Sequence, residues 1–133
     1  MRLHDDLRNV ACNTVVDAFD ESTDPAYIEL YSGDMPTFDS AATGDLLATL
    51  TMSKPAFGNA GASNPGKASA NTIDNGYAAM SGTVGYFRCY NGDGDLLAQG
   101  EAGGDGDGKD LTLNSVDVLL DSTITISTFS ITI

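Results

Sequence analysis

From Tyr77 to Ile133, apolar side chains recur with a period of two, in short runs separated by Gly, Asp and Asn. A period of two places alternate side chains on opposite faces of an extended chain, so this half reads as strands. In "GTVGYFRCY", Val84, Tyr86 and Tyr90 point one way and Phe87 and Cys89 the other, which predicts a strand covered on both faces. "DLLAQGEA" follows across a Gly-Asp turn as its hairpin partner, and "LTL" and "VDVLL" come next. In the final run, "TITISTFSITI", Ile124 and Ile126 are even-numbered but Phe129, Ile131 and Ile133 are odd. One extra residue between Ser127 and Thr128 restores the face, as a β-bulge does. Such a strand, apolar to its last residue, is expected to be tied into a sheet, its own or a neighbour's. Before Tyr77, "AYIELYSG" and "LLATLTM" read as two more strands, with "DMPTFDSAATGD" a loop between them. The expectation is a mainly β fold, an antiparallel β-sandwich or partly open barrel, with one N-terminal helix.

That helix spans about 3–19. Leu3, Leu7, Val10, Ala11, Thr14, Val15 and Ala18 recur at spacings of three and four, while Asp6, Asn9, Asn13, Asp17 and Asp20 fall opposite. The pattern predicts an amphipathic helix laying its apolar face on the strands. His4, at the edge of that face, is expected to be partly buried. The 133 residues form one domain, 1–133, with a β module over about 26–133. A Gly-, Ala- and Ser-rich stretch over about 53–68 interrupts the module as a long loop or arm, the kind of segment that often carries function.

Charge narrows the partners. Nineteen acidic residues, sixteen of them aspartate, face six basic ones, for a net charge of -13. Phosphate backbones are bound through Lys and Arg, so nucleic acid is excluded as a partner. No apolar run is long enough to span a membrane, and Asp5, Asp6 and Arg8 interrupt the N-terminal apolar run that a secretory signal would need. Synthesis in a cytoplasm without cleaved export is expected. Cys12 and Cys89 read as small buried hydrophobes, a disulfide being the less favoured alternative.

The stretch "NGDGDLLAQGEAGGDGDGKD", residues 91–110, holds five aspartates and seven glycines. Asn91, Asp93 and Asp95 suit the first three ligand positions of an EF-hand loop. The sixth position is Leu96 where the turn needs Gly, and the twelfth is Ala102. "GGDGDGKD" occurs once, whereas calcium-binding nonapeptide repeats act in stacks. Asn-Gly and Asp-Gly supply the positive φ angles of hairpin turns, so turns are expected, with weak calcium binding as the alternative. Chemistry has few handholds: one histidine, solvated carboxylates, Asp117 on a polar strand face, and Ala68 after Lys67 where a phosphate loop needs Ser or Thr. No catalytic, cofactor or metal residue is assigned, and no enzyme is expected.

The order of pieces nevertheless carries a likeness. "YSG" with "MPTFDSAATGDLLATL", "GYFRCY" with its Gly-Asp hairpin, and the "TISTFSITI" ending together resemble small virion structural proteins of tailed bacteriophages. The resemblance implies a capsid decoration, or cement, protein that binds the outer surface of the major capsid lattice and stabilises the shell. Its partner would be the major capsid protein, its place the virion, and symmetric lattice binding would favour a trimer. The helix, the arm from Pro55 to Lys67 and the C-terminal strand are the expected contacts. A tail or head-tail connector component is the alternative within the virion. A carbohydrate-binding β module is the alternative outside it, set back by the absence of tryptophan platforms.

Overall fold

The computed structural model describes residues 1–133. Helix α1 spans Asp5–Asp17 and runs into a single 3-10 turn, Ala18–Asp20. Ten strands follow: β1 Tyr27–Ser32, β2 Leu46–Thr51, β3 Lys67–Ser69, β4 Gly76–Tyr77, β5 Gly82–Tyr90, β6 Leu96–Gly103, β7 Leu111–Leu113, β8 Asp117–Val118, β9 Thr123–Ile124 and β10 Ile126–Thr132. Seven run side by side in the order β2-β1-β5-β6-β7-β10-β3, β8 pairs with β5, and β4 and β9 form a two-stranded ribbon. The main sheet curls into a half-barrel. It is mixed rather than wholly antiparallel, because β6 and β7 run parallel with Ala102 beside Leu111. The loop joining them folds back on itself: Asp107 Oδ2 accepts the Gly104 N–H and Asp110 Oδ2 the Glu101 N–H, while Lys109 pairs with Glu101. Those internal acceptors let a seven-residue connection make a reversal that parallel strands ordinarily complete with a longer crossover.

Two of the pattern-based expectations hold in detail. The β10 register against β7 shifts between Ile126 and Thr128, where the phase change places a bulge. Strand β5 is covered on both faces: Phe87 and Cys89 enter the main core, and Tyr86 and Arg88 are buried beneath residues 34–45. The Arg88 guanidinium meets no carboxylate there. It donates to the Thr37 and Ser40 carbonyls and, through Nε, to Gln99 Oε1, and Gln99 in turn donates to the Pro36 carbonyl. Tyr86 adds a hydroxyl that both donates to the Thr43 carbonyl and accepts its N–H. An irregular segment cannot pair its own backbone, so these side chains satisfy it and pin it to the sheet. Beside them, Tyr31 stacks on Tyr86 and Tyr27 on Tyr90, each pair directly opposite across β1 and β5.

The helix is the main correction. Its apolar face does not lie on the strands. Cys12 and Val16 are buried and Asn9 and Asn13 half-buried, whereas Leu3, Leu7, Val10 and Val15 are 49%, 58%, 62% and 41% exposed. The helix is turned about half a revolution from the orientation its pattern predicts. The cause lies in what it covers, the arm and the end of β10. Asn13 Oδ1 accepts the Ala60 N–H at 2.7 Å, Asn9 Oδ1 the Gly66 N–H at 2.7 Å, and Arg8 Nε donates to the Ile133 carbonyl at 3.2 Å. Those backbone groups need polar partners more than the stripe needs burial, because an orphaned buried amide costs more than an exposed leucine. His4 is exposed, not partly buried, and caps the helix by accepting the Asp6 N–H.

The arm is likewise bound rather than free. Phe57 enters the core edge-on to Phe19, with ring centroids 5.0 Å apart, and also meets Phe129. Gly58 N–H donates to the Ser69 carbonyl and Gly61 N–H to the Lys67 carbonyl, so the arm caps the β3 edge of the sheet. At the other edge, Thr51 and Leu47 carbonyls accept from Asp74 and Ala79, so residues 74–79 cap β2. The C-terminal strand is paired within its own chain, to β7 and β3. Both cysteines are buried and free, and burial pushes both thiols above their ordinary value.

Candidate docking surfaces

The acidic loops resolve into turns closed by their own side chains. Asn91, 8% exposed, accepts the N–H groups of both Asp93 and Asp95 through Oδ1 and donates to the Asp95 carboxylate. Asp107 and Asp110 are spent on the backbone contacts of the β6–β7 loop. Lys109 beside Glu101 holds its ammonium pKa above the ordinary value, chiefly through that hydrogen bond. No three His, Cys, Asp or Glu side chains converge anywhere. Asp117 lies on the exposed face, where its carboxylate accepts from the Thr83 hydroxyl.

Strands β3 and β10 separate beyond Ala70 and Phe129, opening a groove of about 560 Å³. Its lining is mostly hydroxyl and amide, including Ser69, Asn71, Thr72, Ser127 and Thr128, with Phe129 beside them and Lys67 the one charged side chain. No carboxylate lines it, in a chain with nineteen. The hydrogen bond from the Thr125 hydroxyl to Asn75 Oδ1 closes one end, and the β3–β10 ladder the other.

Two apolar surfaces face solvent. The first is the outward stripe of α1. The second gathers residues distant in sequence: Tyr77 (68% exposed), Met80 (41%), Leu119 (72%) and Leu120 (58%), with Leu46 (41%) on the adjoining β2. The segments are stitched together by Ala78 N–H to the Ser122 carbonyl, Asp121 N–H to the Ala78 carbonyl, Leu120 N–H to Ser81 Oγ and Ala79 N–H to the Leu47 carbonyl. "VDVLL" reads as one strand in the sequence. In the fold only Asp117–Val118 is strand, and the chain then turns through Asp121, at φ +66°, lifting both leucines out of the core. Continued alternation from Val116 and Val118 would carry Leu120 inward, and no local signal marks the departure. The expected contacts fall differently among these surfaces: α1 presents a free face, whereas the arm and β10 are engaged within the chain. No family model, curated protein or solved structure matches the chain. No helix is long and apolar enough to cross a membrane.

Proposed function

We propose that this chain is a structural docking module of the capsid decoration kind, attaching to the outer surface of a major capsid lattice and stabilising the shell. The observation that carries this reading is the patch of Tyr77, Met80, Leu119, Leu120 and Leu46, held on a hydrogen-bonded corner. Large apolar side chains grouped at one exposed place favour a protein partner. Both sheet edges are capped by the chain itself, so contact is made through side-chain faces and not by strand addition. An acidic surface suits a protein that shares a particle with packaged DNA without competing for it.

The test is the copy ratio of this chain to the major capsid protein in gradient-purified particles from the phage or prophage that encodes it. A ratio of one per one to a few capsid subunits is expected. A ratio of a few per cent moves the protein to the tail or connector, and absence from particles removes it from the virion. Leu119→Asp with Leu120→Asp is expected to abolish binding to purified shells while leaving the melting temperature within a few degrees.

The groove supports a second reading, binding of a neutral glycan, since its hydroxyls and amides match sugar hydroxyls and no carboxylate intervenes. Calorimetric titration with neutral oligosaccharides tests it. Heat lost in an Asn71→Ala, Ser130→Ala variant favours this reading, and no heat with any of them eliminates it.

A further inference from the structure

We propose that the groove between β3 and β10 takes the end of a neutral glycan, one or two terminal sugar rings, and not the interior of a chain. The inference rests on the glycan reading of the groove and adds how the sugar enters. The groove is a gap in the sheet. Ser130–Thr132 of β10 lie in register with Lys67–Ser69 of β3, and the Ala70 N–H still reaches the Phe129 carbonyl at 2.9 Å. Beyond that bond no backbone hydrogen bond joins residues 71–74 to residues 126–128. Each wall is paired on its far side instead: Asn71 and Asp74 donate to the Ala56 and Thr51 carbonyls, and Ile126 and Thr128 stand opposite Leu113 and Thr112 of β7. Neither wall swings across without breaking that pairing, so the gap is preformed. Its volume of about 560 Å³ lies within the range of small-molecule sites, roughly 300–1,000 Å³.

The lining divides as a sugar ring does. Ile73, Ile126 and Phe129 give it apolar surface for C–H faces, and Ser69, Thr128 and Ser130 give it hydroxyls. Thr72 adds an N–H and a carbonyl that have no partner within the chain. The net charge of -13 sets an acidic sugar at a disadvantage at long range, so a neutral one is expected. Closure at both ends decides the mode of entry. The β3–β10 ladder closes one end, and at the other the Thr125 hydroxyl donates to Asn75 Oδ1 at 3.1 Å. Between Phe129 and Thr125 an extended chain covers about 13 Å, the length of two sugar rings. An interior stretch of glycan has to leave through both ends, and both are blocked. The same closure excludes an extended peptide inserted as a missing strand, because its chain must also run on past each end. A terminal sugar enters from the open outer side, and the rest of its chain leaves the same way.

Calorimetric titration of the full chain tests this with neutral disaccharides of glucose, galactose, mannose and N-acetylglucosamine and with the tetrasaccharides of the same series. For a series that binds, disaccharide and tetrasaccharide are expected to share one affinity within about three-fold, since rings beyond the second touch nothing. Ser69→Tyr sets a bulky ring at the groove from an exposed position on β3. It should abolish the heat at both lengths while the melting temperature stays within a few degrees of the wild type. A tetrasaccharide that gains more than that factor over its disaccharide, or that binds where the disaccharide does not, overturns the terminal mode and leaves the glycan reading standing. Heat that survives Ser69→Tyr puts the sugar elsewhere and overturns the proposal. No heat at either length removes the glycan reading and this inference with it.

Discussion

Replacing the inward-facing asparagines of α1 is expected to destabilise the protein more than replacing its outward Leu7 and Val10, the reverse of what an amphipathic helix ordinarily shows. Asn9 and Asn13 each accept one arm N–H at 2.7 Å in a half-buried setting. Truncation to alanine leaves that N–H without its partner, a loss of about 1–3 kcal/mol. Alanine also has the higher helix propensity, which returns about 0.6 kcal/mol. The net expectation is roughly 1–2 kcal/mol for either Asn9→Ala or Asn13→Ala, a fall in melting temperature of about 3–8 °C for a domain of this size. Leu7→Gln and Val10→Gln alter side chains 58% and 62% exposed and are expected to stay within about 0.5 kcal/mol. Urea melts measure all four. Neutral asparagine variants beside Leu7 and Val10 variants that each lose more than about 1 kcal/mol would show that the apolar face, not the asparagine face, is turned inward.

Three further outcomes follow from the same structure. A Cβ on Gly66, at φ +70°, would lie 2.6 Å from the Ile133 carbonyl oxygen, whereas one on Gly33, at φ +83°, meets nothing within 4 Å. Gly33→Ala should therefore cost only the backbone term of about 1–2 kcal/mol, and Gly66→Ala measurably more in the same melt; equal losses would show that the chain end does not pack there. Arg88→Leu strips the donors from two backbone carbonyls and Gln99, and a loss of about 2–4 kcal/mol with faster proteolysis within residues 34–45 is expected; an unchanged cleavage pattern would mean that Arg88 does not pin the loop. Burial raises the Cys89 thiol above its ordinary 9.0, so the folded state keeps a proton that the unfolded chain releases. Its contribution is whole below pH 9 and is lost as pH rises, at up to about 1.4 kcal/mol per pH unit. Cys12 is raised in the same direction, so Cys89→Ala should reduce this alkaline slope without abolishing it; a slope identical in wild type and variant would refute the assignment.

What the chain declares in one dimension is its local geometry. The period of two in β1, β2, β5, β6 and β10, the bulge near Ser127, the turns at Asn91 and Asp107 and the extent of α1 all depend on residues within a few positions of one another. Strands β3 and β4 were not legible, being two or three residues long and existing only because distant segments lie beside them; β9 falls inside the final strand-like run, but its break from β10 and its pairing with β4 were not visible. The parallel β6–β7 pair was hidden for a related reason: alternation gives a strand its faces but not its neighbour. Of the candidate surfaces, the apolar stripe of α1 was visible and its direction was misread. The patch of Tyr77, Met80, Leu119 and Leu120 was invisible, because a turn at Asp121 and hydrogen bonds across some forty residues assemble it.

The sequence by itself determined a β-rich, acidic domain with one amphipathic helix and Asp-Gly turns. Tertiary structure decided which face of that helix is inside. Hydrophobic patterning says only that a helix has two unlike faces. The backbone groups of the arm that it covers demanded hydrogen-bond acceptors, and Asn9 and Asn13 supplied them, leaving the apolar face to solvent.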